Sequence, residues 1–182
     1  AAAGLGPADI DHVECAAAGA ALADAAELEA LGQVFAGAGR PVSFGTVKPN
    51  LGHLESASGM SQLAKVVLQL RHRRLAPTLV APRRSPLISW DPQVLQLADA
   101  AAPWPQPQPQ PQPQPDSGDR DGSDRPARAL VNALGATGSL AHVIIRAADT
   151  NTGSGTNTGT RTSTDNGTRP GGTAKTTAGG GL

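Results

Sequence analysis

The residues best suited to chemistry are Lys48, Asn50 and His53, which bring a cation, an amide and an imidazole to one turn. The run before them, Pro41 to Val47, carries Val42, Phe44 and Val47 with small residues between and reads as a buried strand. Behind them, Leu54, Ala57, Met60, Leu63, Ala64, Val67, Leu68 and Leu70 recur at helical spacing, and Val66 widens the stripe toward a buried helix. His53 therefore stands at a first turn, where unpaired N–H groups and the positive end of the dipole hold an imidazole neutral and favour negative charge nearby. That setting suits chemistry on a carbonyl. On spacing alone a Gly-His pair ahead of a helix also fits a capping or core histidine, and Lys48 a surface lysine at a strand end.

The elements that must hold this turn alternate. Asp11–Cys15 reads as a strand, Asp24–Phe35 as a helix, Val42–Val47 as a strand and Leu54–Arg73 as a helix. Short strands follow at Val94–Leu97, Ala129–Ala133 and His142–Ile145. Asp24 with Glu27 three residues on fits a capping box, and Leu28, Leu31, Val34 and Phe35 give that helix an apolar face. Strand and helix in alternation predict an α/β layered fold.

Two regions stand outside that pattern. Residues 105–127 open with a Pro-Gln repeat and run into Asp, Ser, Gly and Arg, which predicts extended polyproline II followed by coil. Residues 147–182 are Thr, Gly, Asn and Ser with almost nothing apolar, too little to offset chain entropy. Both are expected to be disordered. With 22 Gly, 16 Pro and 2% aromatic residues in 182, the core is thin for the length, and the shortage falls in these regions.

Composition removes several function classes. The formal net charge is zero, the arginines at 71, 73, 74, 83 and 84 form local clusters only, and there is no tyrosine; a nucleic-acid surface needs a basic face with stacking groups. No apolar run reaches membrane-spanning length and no secretion signal opens the chain, so a cytoplasmic location is expected. One cysteine, Cys15, excludes an internal disulfide, and four histidines without tight ligand spacing predict no metal site. His12 and His72 read as surface residues and His142 as a structural one. The sequon Asn166-Gly167-Thr168 carries no meaning without a secretion signal.

Three stretches in order over residues 8–146 then carry a resemblance. Lys48 to His53 resembles the Lys-Ser-Asn-Ile-Gly-His motif of β-ketoacyl synthases, the condensing enzymes of fatty-acid and polyketide assembly. Val13 to Glu27 resembles the family's Val-Glu-Ala-His-Gly-Thr-Gly-Thr-x-Leu-Gly-Asp-Pro-Ile-Glu, and Leu134 to Ile144 its Phe-Gly-x-x-Gly-Thr-Asn-Ala-His-Val-Ile. Pro77-Thr78-Leu79, Ser85-Pro86 and Ala102-Pro103-Trp104-Pro105 match connecting landmarks. The resemblance implies the C-terminal half of a thiolase-like fold over 8–146, whose sheet packs on an N-terminal half that bears the nucleophilic cysteine.

The resemblance also implies site residues. His53 and Lys48 take catalytic positions, and Asn50, Gly135 and Gly138 belong to the substrate and oxyanion loops. Ala16 stands where the first of two active-site histidines belongs; Ala17 and Ala18 replace the Gly-Thr that follows it, Pro49 a Ser, Leu134 a Phe and Leu140 an Asn. Loss of that histidine resembles the non-elongating ketosynthases of polyketide synthases served by free-standing acyltransferases. The implied substrates are phosphopantetheine thioesters of an acyl carrier protein, with no cofactor bound covalently to this chain. The implied partners are the cysteine-bearing half, the carrier protein and a second protomer of a dimer. Competing readings are a non-catalytic ketosynthase-like scaffold and a gene fragment.

Overall fold

A computed structural model describes residues 3–82, 85–105, 125–135, 137–148 and 162–163. Strand β1 (His12–Glu14) pairs in parallel with β2 (Val42–Gly45) on one side and with β6 (Arg128–Leu134) on the other. Strand β4 (Leu95–Leu97) extends the sheet beside β2, and β7 (Leu140–Arg146) runs antiparallel to β6. A two-residue strand, β8 (Thr162–Ser163), completes the order β4-β2-β1-β6-β7-β8. A further antiparallel pair, β3 (Arg74–Leu75) with β5 (Ala102–Pro103), stands apart from that sheet.

One helix covers each face. Helix α1 (Ala21–Phe35) packs Leu28, Leu31 and Phe35 onto Val13, Val42, Phe44 and Leu95. Helix α3 (Ser58–His72) sets Val66 and Leu70 against Ala129, Val131 and the buried Trp104. This is the expected α/β arrangement, with the parallel strands buried between helices.

The helix limits and faces depart from expectation in ways that matter for the site. Helix α1 begins at Ala21, so Asp24 lies inside its first turn and accepts the Gly19 N–H at 3.3 Å; it caps nothing. Glu27 reaches back instead to the loop after β1. Val34, expected on the apolar face, is 56% exposed. The single helix expected over Leu54–Arg73 is two pieces, a 3-10 turn (Glu55–Ala57) and α3, and a separate short helix, α2 (Lys48–Leu51), precedes them.

The buried face of α3 includes Ser58, Gln62 and Gln69, while Met60, Val67 and Leu68 are exposed. Buried polar groups must be hydrogen-bonded, and Gln62 donates to the carbonyls of Cys15 at 2.7 Å and Asn132 at 3.0 Å. Gln69 accepts the Ala76 N–H at 2.7 Å. The apolar stripe read from spacing therefore faces outward over much of its length, which leaves a greasy face without a partner among the described residues.

His12 is a correction. It is fully buried, edge-on to Trp104 with ring centroids 5.9 Å apart, and its Nδ1 lies 3.1 Å from Ser43 Oγ. On the same face, Glu14 accepts the Val47 N–H at 2.6 Å and Lys65 Nζ at 2.7 Å. Gly45 lets these groups close: a Cβ there would stand 2.5 Å from Thr78 Oγ1 and 3.6 Å from Lys65 Nζ.

Asp11 ties both flanks of the Pro-Gln segment to β1. Its carboxylate accepts from Arg40 Nη2 at 2.7 Å, from Arg125 Nη2, from the Arg128 N–H at 2.8 Å and from Trp104 Nε1 at 3.3 Å. Of the expected insertion, 106–124 lies outside the described residues, whereas Arg125 makes this contact and Ala127 is buried. Of the expected tail, 149–161 and 164–182 lie outside them, while Ala147 continues the sheet through an N–H to Ala127 O at 2.9 Å. No helix of the described residues is long and apolar enough to cross a membrane.

Candidate active site

Parallel strands β1 and β2 end side by side, and the loops that leave their carboxyl ends carry the candidate residues, the usual place for a site in α/β sheets. After β1 the chain runs Cys15-Ala16-Ala17-Ala18-Gly19; after β2 it enters α2, whose first residue is Lys48. Gly52, at φ +86°, turns the chain out of α2 in a conformation that glycine adopts freely and so delivers His53 back toward that loop.

The backbone of residue 16 is gripped on both sides. Its N–H donates to Glu27 Oε1 at 2.8 Å, and its carbonyl accepts a hydrogen bond from Lys48 Nζ. Glu27 Oε2 takes the Ala17 N–H at 2.8 Å, and Asn132 Nδ2 donates to the same carboxylate. Ala17 is held at φ +40°, a left-handed conformation in the place where the motif has glycine. Lys48 is 9% exposed, and burial lowers its proton affinity from the ordinary lysine value while Glu27 and Glu14 oppose that shift.

His53 accepts at Nδ1 from the Glu55 N–H at 3.0 Å and stands 3.3 Å from Ser58 Oγ. An acceptor role at Nδ1 leaves the ring proton on Nε2. His53, Lys48 and Ala16 line one cavity of about 940 Å³ together with Gly135, Gly138 and His142. Six groups singled out in the sequence thus border one space. In that space Ala16 contributes a methyl group where the motif places an imidazole. Asn50 is the exception: it sits exposed on α2 and lines neither this cavity nor the one beside it.

Cys15 is buried, and burial raises its thiol well above the ordinary value, which makes it a poor nucleophile. Among the described residues no group of three or more His, Cys, Asp or Glu converges as a metal site. Sequence reading missed two supports of the site. Glu27 reads as a helix cap although it closes the Val13–Glu27 motif, and Gln62, which braces the Cys15 carbonyl, carries no sequence signal of that role.

Comparisons with known proteins agree with this geometry. The β-ketoacyl synthase C-terminal domain profile matches residues 1–81. The polyketide synthase ThaQ of Burkholderia thailandensis is 42% identical over 146 residues, 79% of this chain and 6% of that protein. PksR of Bacillus subtilis is 37% identical over 145 residues, 78% of this chain and 5% of that protein. Among solved structures, the oxazolomycin ketosynthase domain OzmH KS7 of Streptomyces albus superposes with a TM-score of 0.65 at 38% identity, over 80% of this chain and 24% of that one. Ketosynthase twelve of the bacillaene synthase of Bacillus amyloliquefaciens gives 0.64 at 30%, over 79% and 23%. The chain thus spans about a quarter of these ketosynthase structures and a few per cent of the synthases. It belongs to the β-ketoacyl synthase family and carries the C-terminal ketosynthase domain of polyketide synthases.

Proposed function

We propose that this chain is the C-terminal part of a non-elongating ketosynthase, which passes an acyl group between carrier thioesters without extending it. A condensing enzyme takes an acyl group onto a cysteine thiolate, decarboxylates a malonyl thioester and lets the enolate attack the acyl carbonyl. Each step builds negative charge on a thioester oxygen that fixed donors must stabilise. His53 offers Nε2–H, with its ring held at Nδ1 by the Glu55 N–H. Lys48 and Glu27 fix the backbone of residue 16. The observation that carries the reading is the Ala16 methyl in the same cavity as His53 and Lys48. Acyl transfer can proceed on the remaining donor; decarboxylation loses the second one, and a lost donor of this kind costs about 10²–10³ in rate.

The nucleophile belongs to an N-terminal half, which the exposed face of Met60, Val67 and Leu68 would meet. An acyl carrier protein supplies the thioester, and the assembled unit is a dimer. The chain alone is expected to be inactive. The test is reconstitution with a cysteine-bearing N-terminal half and mass spectrometry of that cysteine after exposure to an acyl carrier thioester. Acylation that His53→Ala abolishes supports the reading; a cysteine that stays unmodified, or acylation indifferent to His53→Ala, favours a non-catalytic scaffold.

A further inference from the structure

Glu14, the last residue of β1, is fully buried, and each of its carboxylate oxygens is engaged by a different element. Oε1 accepts the Val47 N–H at 2.6 Å, and Oε2 accepts from Lys65 Nζ on α3 at 2.7 Å. His12 Nε2 stands 3.8 Å from Oε2, so Lys65 is the close cation on this carboxylate among the described residues. A buried carboxylate is tolerated when it is paired and hydrogen-bonded, but such a pair is weak evidence of added stability. What sets this one apart is what it joins.

The three elements that meet at Glu14 are the three that assemble the site. Strand β1 passes straight into Cys15 and Ala16. Val47 belongs to the turn of Lys48, in which three successive N–H groups are taken by side chains: Thr46 by Thr78 Oγ1 at 3.1 Å, Val47 by Glu14, and Lys48 by Thr46 Oγ1 at 3.3 Å. The Val47 carbonyl then accepts the Asn50 N–H at 3.0 Å and the Lys48 carbonyl the Gly52 N–H at 2.7 Å, so the turn is braced up to His53. Lys65 lies two turns along α3 from Ser58, whose Oγ is 3.3 Å from His53 Nδ1. Neither Glu14 nor Lys65 lines the cavity that His53, Lys48 and Ala16 share. Their influence on chemistry there runs through position.

We propose that Glu14, paired to Lys65, is a positioning residue for acyl transfer: it locks the turn that carries Lys48 and His53 to the strand that delivers residue 16. This assignment rests on the acyl-transfer reading above and adds what keeps its groups in register. Register matters because a misplacement of about 1 Å can cost about 10² in rate.

The experiment uses the full chain reconstituted with a cysteine-bearing N-terminal half and S-hexanoyl-N-acetylcysteamine as acyl donor. Mass spectrometry follows acylation of the cysteine over a range of donor concentrations, below the melting temperature of each variant, and NMR of ¹⁵N-histidine-labelled chain follows the His53 ring. Glu14→Gln has one oxygen, which Lys65 claims, so an NH₂ group faces the Val47 N–H. Its maximal acylation rate should fall about 100-fold, its half-saturating concentration should stay within about threefold, and the His53 ring signals should move. Adding Lys65→Met to Glu14→Gln frees that oxygen for Val47 and should recover at least about tenfold of the loss, since no charge is left stranded. Glu14→Ala with Lys65→Met is equally uncharged but has no acceptor. It should stay as slow as Glu14→Gln alone, and its comparison with the recovered pair reads the Val47 contact even where Glu14→Gln by itself does not fold.

A cysteine left unmodified by the unaltered complex overturns the acyl-transfer reading, and the His53 signals then decide the positioning by themselves. With an active parent, a Glu14→Gln rate within about threefold of it, equal rates in the two uncharged variants, or His53 signals that do not move overturn the positioning role alone.

Discussion

Replacing Glu27 by Gln should loosen the loop that carries residue 16. The Glu27 carboxylate is 7% exposed and accepts the N–H groups of Ala16 and Ala17, each at 2.8 Å, together with Asn132 Nδ2. Glutamine keeps the size but turns an NH₂ group toward at least one of these donors. A lost hydrogen bond to a charged group is worth about 1.5–3 kcal/mol, and a donor left buried without a partner adds about 1–3 kcal/mol. The sum, roughly 2.5–6 kcal/mol, reaches the upper end of single substitutions. For a chain of this size that lowers Tm by about 10 °C, at roughly 2–4 °C per kcal/mol. Glu27 is also the leading charge that opposes the burial-driven fall in Lys48 proton affinity, so the same change should lower that affinity further. The assay is a far-UV circular dichroism melt of the full chain beside Glu27→Gln and Glu27→Ala, with the alanine variant the least stable. A Gln variant melting within about 2 °C of the parent, under 1 kcal/mol on the same scale, would refute the grip on residue 16.

Other consequences follow from the same geometry. Ala17→Gly should stabilise by about 0.5–1 kcal/mol, since left-handed backbone costs alanine roughly 1–2 kcal/mol while glycine loses about 0.4–1 kcal/mol through the unfolded chain; an urea midpoint that falls would contradict this. Gly45→Ala should destabilise by about 1–3 kcal/mol, the usual cost of overpacking, because its Cβ would meet Thr78 Oγ1 at 2.5 Å; an unchanged melt counts against it. His12 is held below the ordinary 6.5 by burial, with Glu14 and Asp11 pulling the other way and Lys65 adding to the fall. As pH drops through about 6.5 the unfolded chain takes a proton that the folded one refuses, so stability that is complete above that pH is lost at up to about 1.4 kcal/mol per unit until the folded value is reached. His12→Gln should flatten that slope in melts across the range, and a slope equal to the parent's would be evidence against the account. Polar residues at Met60, Val67 and Leu68 together should reduce self-association of the isolated chain in light scattering; an unchanged particle size would mean that this face is not the sticky one.

The motifs made the site legible because their chemistry is local. A strand, a tight turn and an imidazole ahead of a helix can be read from neighbouring residues, and Lys48, His53 and Ala16 do meet around one cavity. Motif membership did not tell where a side chain sits: Asn50 matches as well as His53 yet lines neither cavity. Periodicity told which side of α3 is apolar but not where its partner lies. Gln62 and Gln69 face inward because they answer backbone groups of the loop after β1, of β6 and of the chain after β3, and the apolar stripe faces out. His12 misled for a related reason. Between acidic residues it reads as surface, whereas β1 is central in the sheet, and Ser43, Trp104 and the Glu14–Lys65 pair, all distant in sequence, enclose it.

The most direct measurement is product analysis of the complex reconstituted with a cysteine-bearing N-terminal half and offered an acyl thioester and a malonyl carrier thioester together. Mass spectrometry should find acyl-cysteine and no extended β-ketoacyl product, because the donor that decarboxylation needs is the methyl group of Ala16. Ala16→His should bring back part of the roughly 10²–10³ in rate that one donor supplies, limited by the Ala17 and Ala18 that flank it. An extended product formed by the unmodified pair would contradict the account at its centre.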